Sequence, residues 1–71
     1  MTQQERTREE LLNALVQLSR LRPEWRMGQT LANLEMTAGR MDAVWDLEDE
    51  EALAAARELI ELEAAVPAEV A

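Results

Sequence analysis

Leucine and alanine recur at intervals of three and four in three separate stretches of the chain, and nowhere do apolar and polar residues alternate. The first stretch runs Leu11, Ala14, Leu18, Leu21, widened by Leu12 and Leu15. The second runs Met27, Leu31, Leu34, Ala38, and the third runs Ala52, Ala55, Leu59, Leu62, Val66 with Leu53, Ala56 and Ile60 beside it. A period near 3.6 is the mark of an amphipathic helix, and its repetition three times leaves little room for strands. The pattern predicts an all-α, compact three-helix domain with antiparallel neighbours, its helices spanning roughly 3–21, 23–38 and 47–65.

The punctuation between the stretches sets those limits. Thr2 with Glu5 and Thr7 with Glu10 both fit a capping box, so the first helix starts near residue 3 or near residue 8. Pro23 ends it and is suited to the first position of the next helix. Gly39 stands where a left-handed residue closes a helix. Asp46 is placed to cap the third helix, with Asp49 as its reciprocal partner. Residues 1–66 are expected to form a single helical domain, and the tail 67–71, with Pro67 and little apolar bulk, to fray.

A chain of 71 residues buries only about 60% of the surface it exposes unfolded, so one core supplies at most about 3–5 kcal/mol. Cysteine and histidine are both absent, which removes disulfides and Cys/His zinc sites as staples. Tight helix packing or association must stand in for them. No run of apolar residues is long enough to span a bilayer, and MTQQERTREE is too polar for a signal peptide, so a cytoplasmic protein is expected.

Charge divides the chain. Residues 1–40 hold six arginines against five glutamates, whereas residues 41–71 hold ten carboxylates against Arg57 alone. An acidic half of that kind repels phosphate backbones, so direct binding of nucleic acid is not expected. All seven basic residues are arginine, which fits the codon bias of a GC-rich bacterial genome.

Catalytic parts are scarce. Without His, Cys, Lys or Tyr, only carboxylates remain as acids or bases and only Ser19 and the threonines as nucleophiles, so the chain is expected not to be an enzyme. No cofactor is implied, since Gly28 and Gly39 are isolated and form no phosphate-binding loop. The run DLEDEE at 46–51 lacks the alternating ligands and the glycine of a calcium loop. It suits the first turn of a helix, where carboxylates complement the macrodipole, and no metal is expected there. Arg20, Arg22 and Arg26 make a modest positive patch that is expected to be solvated.

One polar constellation stands out. Arg26, Gln29, Thr30 and Asn33 lie three and four residues apart and so share a helix face. They are expected either to lock the acidic start of the third helix, Arg26 pairing with Asp46 or Asp49, or to present a patch to a partner. Trp25, Gly28, Ala32 and Met36 form a second stripe, narrow at Gly28, which is expected to receive the segment carrying Trp45.

The combination P-x-W-R-x-G-Q-x-x-x-N, at Pro23, Trp25, Arg26, Gly28, Gln29 and Asn33, followed by W-D-x-E-D-E at 45–50, resembles a group of short uncharacterised bacterial proteins. The resemblance covers about residues 10–62. It implies that the polar face and the acidic turn belong together, and it carries no activity.

Three functions are compatible with these features. The first is a protein-protein interaction module or accessory subunit that docks a protein partner, or self-associates, through Leu59, Ile60, Leu62 and Val66. The second is an acidic inhibitor, an antitoxin, immunity protein or mimic of nucleic-acid charge, that occupies a basic partner surface with residues 42–63. The third is a site for a small anion or metabolite at Arg26, Gln29 and Asn33.

Overall fold

Two threonines compete to start the first helix, and the upstream one wins. In a computed structural model that describes residues 1–65, the Thr2 hydroxyl accepts from the Glu5 amide at 3.1 Å and the Glu5 carboxylate accepts from the Thr2 amide at 2.8 Å. Both halves of the capping box are therefore closed, and helix α1 runs Gln3–Leu21. Nothing between residues 3 and 8 breaks the helix, so Thr7 becomes an interior residue. Its hydroxyl donates to the Gln3 carbonyl at 3.0 Å, and it is buried in phase with Leu11, Ala14 and Leu18.

Pro23 ends α1, but it does not open the next helix. The Trp25 amide donates to the Arg22 carbonyl at 3.1 Å, which makes Arg22–Trp25 a turn with Pro23 at its second position. A β-turn fixes φ there near the same value as a first helical position, so proline satisfies either. Helix α2 consequently begins four residues later than the proline suggests, spanning Met27–Thr37 with Arg26 as its N-cap. Its buried residues are Thr30 and Leu34, with Leu31 and Ala38 packed at the margin of the core, while Met27 is exposed.

Gly39 closes α2 at φ 77°, as expected. The Arg40 amide reaches the Glu35 carbonyl and the Gly39 amide the Met36 carbonyl, each at 3.0 Å, which is the Schellman pattern. A Cβ added at Gly39 would meet nothing within 4 Å, so the demand for glycine is one of backbone conformation alone. Gly39→Ala is expected to lower stability by about 1–2 kcal/mol. A synthetic chain with D-alanine there is expected to match or exceed the glycine protein in guanidinium unfolding, because the mirror-image residue favours this φ.

A 3₁₀ turn at Val44–Asp46 precedes helix α3, Asp49–Ala65. Asp46 does not cap α3. Its amide is used inside the 3₁₀ turn, donating to Ala43 at 2.9 Å, and Glu48 takes the cap position, its carbonyl accepting from Ala52 at 2.9 Å. The Glu51 carboxylate reaches back to the Glu48 amide at 3.1 Å, supplying the reciprocal bond three residues into the helix.

Among the described residues the result is an all-α domain of three α-helices with α3 as its spine. Leu11, Ala14 and Leu18 of α1 and Leu34 of α2 meet Ala52, Leu53, Ala55, Ala56 and Leu59 of α3. Three buried alanines on α3 allow two helices to come close to it, and α1 and α2 barely touch one another. Three ion pairs hold α1 and α3 in parallel register: Arg8 to Asp49 at 2.7 Å, Glu10 to Arg57 at 2.7 Å and Arg22 to Glu63 at 2.6 Å.

The apolar stripes are narrower than their sequence pattern. Leu12 and Leu21 on α1 and Leu62 on α3 are exposed, Leu62 by 56%. Each helix packs mainly along one side, so residues at the edge of a broad stripe find no neighbour. Val66 and the tail 67–71 lie outside the described residues.

Candidate functional site

The segment between α2 and α3 is held at both ends by one arginine. Because the Schellman turn at Gly39 sends the chain back toward α3, Arg40 emerges beside the first turn of that helix. Its guanidinium grips Asp42 with two hydrogen bonds, Nε to Oδ1 at 3.1 Å and Nη2 to Oδ2 at 2.9 Å. Nη1 donates to both oxygens of Glu51 at 2.8 Å, and Nη2 also reaches the Asp46 carbonyl at 3.3 Å. One planar fork thus ties the start of the connection, its 3₁₀ turn and the cap of α3 together.

These contacts shift the carboxylates in a consistent direction. Asp42 titrates below the usual aspartate range, chiefly because Arg40 donates to it, with help from backbone amides. Glu51 is lowered first by the Glu48 amide and then by Arg40. At the start of α1, on the same end of the molecule, Glu5 is lowered by the Thr2 amide and hydroxyl. A carboxylate whose folded pKa is depressed contributes stability above its unfolded pKa, and that stability is lost as pH falls through the folded value. The protein is therefore expected to lose thermal stability as pH drops below about 4.5, near the ordinary carboxylate range. Arg40→Gln is expected to lower Tm at pH 7, and the difference from the parent should shrink by pH 3. Parallel Tm curves for the two proteins across that range would contradict this assignment.

The held connection displays three of its apolar side chains outward, while Leu47 packs against the core. Met41 is 97% exposed and Trp45 is 84% exposed, with Val44 also exposed between them. Trp45 and Leu47 line one side of a cleft of about 480 Å³, and Gln3, Gln4, Thr7 and Arg8 of α1 line the other. Arg8 is committed to Asp49 there, at 2.7 Å.

The expected polar lock forms with different arginines. Asp49 pairs with Arg8, and the place foreseen for Arg26 beside the acidic turn is taken by Arg40. Arg26 caps α2 through its backbone only, and its side chain is exposed without a hydrogen-bond partner among the described residues. Thr30 is turned inward, its hydroxyl 3.3 Å from the Arg26 carbonyl, so it leaves the outer face to Arg26, Gln29 and Asn33. Gly28 has open space within 4 Å of where a Cβ would stand, and it receives no neighbouring segment. Of the residues expected to form an apolar interface, Leu59 is buried and Ile60 is packed against the core, which leaves Leu62 on the surface. The positive patch is also partly used. Arg22 binds Glu63 and Glu24 and lies 5.7 Å over the Trp25 ring, and these carboxylates raise its pKa.

Arg40 and the outward Trp45 were not foreseen. A signal for the arginine exists: it is the residue directly after a closing glycine, and an acidic segment from Asp42 to Glu51 follows it in sequence. Comparison with protein-family models, with curated proteins and with solved structures finds no match. The six carboxyl groups from Asp42 to Glu51 do not converge, as Asp49 and Glu51 turn to different arginines. No helix among the described residues is long and apolar enough to cross a membrane.

Proposed function

We propose that this chain is a non-enzymatic interaction module that docks a protein partner through the connection between α2 and α3. The observation that carries this reading is Trp45, 84% exposed on a turn that Arg40 fastens at both ends. Tryptophan is the residue most often found at the energetic centre of an interface, because it offers a large apolar area at a small cost in side-chain entropy. A held backbone reduces the ordering cost of binding further. Leaving such a side chain in water stabilises nothing in the isolated domain, so its use lies outside the domain.

The third-helix face is a weaker candidate, since two of its residues serve the protein's own core. Affinity capture with three baits, the parent, Trp45→Ala and Leu62→Ala, separates the two surfaces. Trp45→Ala is expected to change folding stability by no more than about 0.5 kcal/mol, as surface substitutions do. It should nevertheless lose a partner that the parent and Leu62→Ala both retain. Loss with Leu62→Ala alone, or equal capture by all three, would overturn the reading.

A further inference from the structure

The chain contains two Trp-carboxylate neighbours, and only one has its cation. Glu24 precedes Trp25, and Arg22 lies 5.7 Å over that ring while its Nη1 binds Glu24 at 3.1 Å. Asp46 adjoins Trp45 on the other side, following it, yet no arginine among the described residues stands over the Trp45 ring. The two arginines nearby in the fold are already engaged, Arg8 by Asp49 and Arg40 by Asp42 and Glu51. Asp46, Glu48 and Glu50 have no ion-pair partner among the described residues, and Glu48 and Glu50 line the same cleft as Trp45.

We infer that the Trp45 platform takes a basic, amphipathic segment of a partner protein. An arginine or lysine of that segment would sit over the indole, which attracts cations through its ring face. Its neighbouring cations would be met by Asp46, Glu48 and Glu50, and an apolar side chain would enter the cleft beside Leu47. Charge complementarity selects this occupant: Arg8 and Arg40 are neutralised by their own carboxylates while Asp46, Glu48 and Glu50 are left without ion-pair partners among the described residues, so an acidic segment is repelled and a basic one is steered in. The inference rests on the interaction reading above and names the chemistry of the partner.

The test follows the two indole N–H signals by NMR during titration with a short peptide in which arginine and leucine alternate, and with its counterpart carrying glutamine for arginine. The arginine peptide should move the Trp45 signal to saturation and leave the Trp25 signal in place. Combined Asp46→Asn, Glu48→Gln and Glu50→Gln substitutions should weaken binding about tenfold at moderate salt. Glu58→Gln with Glu61→Gln, which removes two negative charges farther along α3, should leave it unchanged. Equal weakening by both sets would mean diffuse attraction to an acidic protein and would overturn the inference. Equal binding of the glutamine peptide would overturn the cation assignment and leave the docking reading standing. A Trp45 shift on concentrating the protein alone would assign the platform to a second copy of this chain and overturn the inference. Absence of any Trp45 shift at millimolar peptide would also overturn it, while partner capture by the Trp45→Ala bait still decides the broader reading.

Discussion

Leu34→Ala and Leu18→Ala are each expected to leave most of the protein unfolded at 25 °C. Both side chains are fully buried, with 0% exposure, at the places where α2 and α1 meet α3. Truncating a buried leucine costs about 2–5 kcal/mol, since the lost transfer energy is joined by the cavity left behind. A single core of this size supplies about 3–5 kcal/mol in all. Circular dichroism should therefore show substantial loss of helix in both variants. Leu12→Ala on the exposed flank of α1 should stay folded, which separates burial from helix propensity. A Leu34→Ala variant with the parent's stability in urea unfolding would mean that α2 is not part of the core.

Ala56→Leu is expected to destabilise by about 1–3 kcal/mol for the opposite reason. Ala56 is fully buried and belongs, with Ala52 and Ala55, to the set of small side chains along which α3 receives its two neighbours. Added bulk there must push a helix away, which would also strain the ion pairs between α1 and α3. Ala54→Leu, one residue outside that face and exposed, should be nearly neutral. Urea unfolding of the pair reads the contrast directly. Equal stability of both would contradict close packing along the alanine face.

What was legible in the sequence is whatever depends on neighbours in the chain. The 3.6 period located all three helices, the Thr2–Glu5 box marked the start of α1, and Gly39 marked the end of α2. What escaped depends on alternatives of nearly equal local energy or on distant partners. Pro23 suits a turn and a first helical position alike, so the start of α2 at Met27 had no local signature. The acidic run from Asp46 offers several cap residues in succession, and the 3₁₀ turn decides among them because Leu47 after it stays extended, which delays the helix to Asp49. Arg40 reaches Glu51 across 11 residues, a pairing that exists only once the Schellman turn has set the direction of the chain. The outward Trp45 runs against the usual burial of its residue type, and no neighbour in the chain signals that orientation.

The polar face of α2 shows the same limit. Arg26, Gln29 and Asn33 share a face as their spacing requires, but spacing does not say what lies opposite. The acidic turn faces Arg40 and Arg8, and the outer side of α2 remains available to solvent or to a ligand.

Arg40 holds the connection that displays Trp45, and NMR order parameters for residues 41–47 and the Trp45 indole test this hold most directly. In the parent protein the backbone of this connection should approach the value of about 0.85 typical of rigid structure, and in Arg40→Gln it should fall toward the flexible range below about 0.6 while the helices keep theirs. Low values in the parent, or the same values in both proteins, would contradict the claim that Arg40 presents Trp45 on a fixed surface.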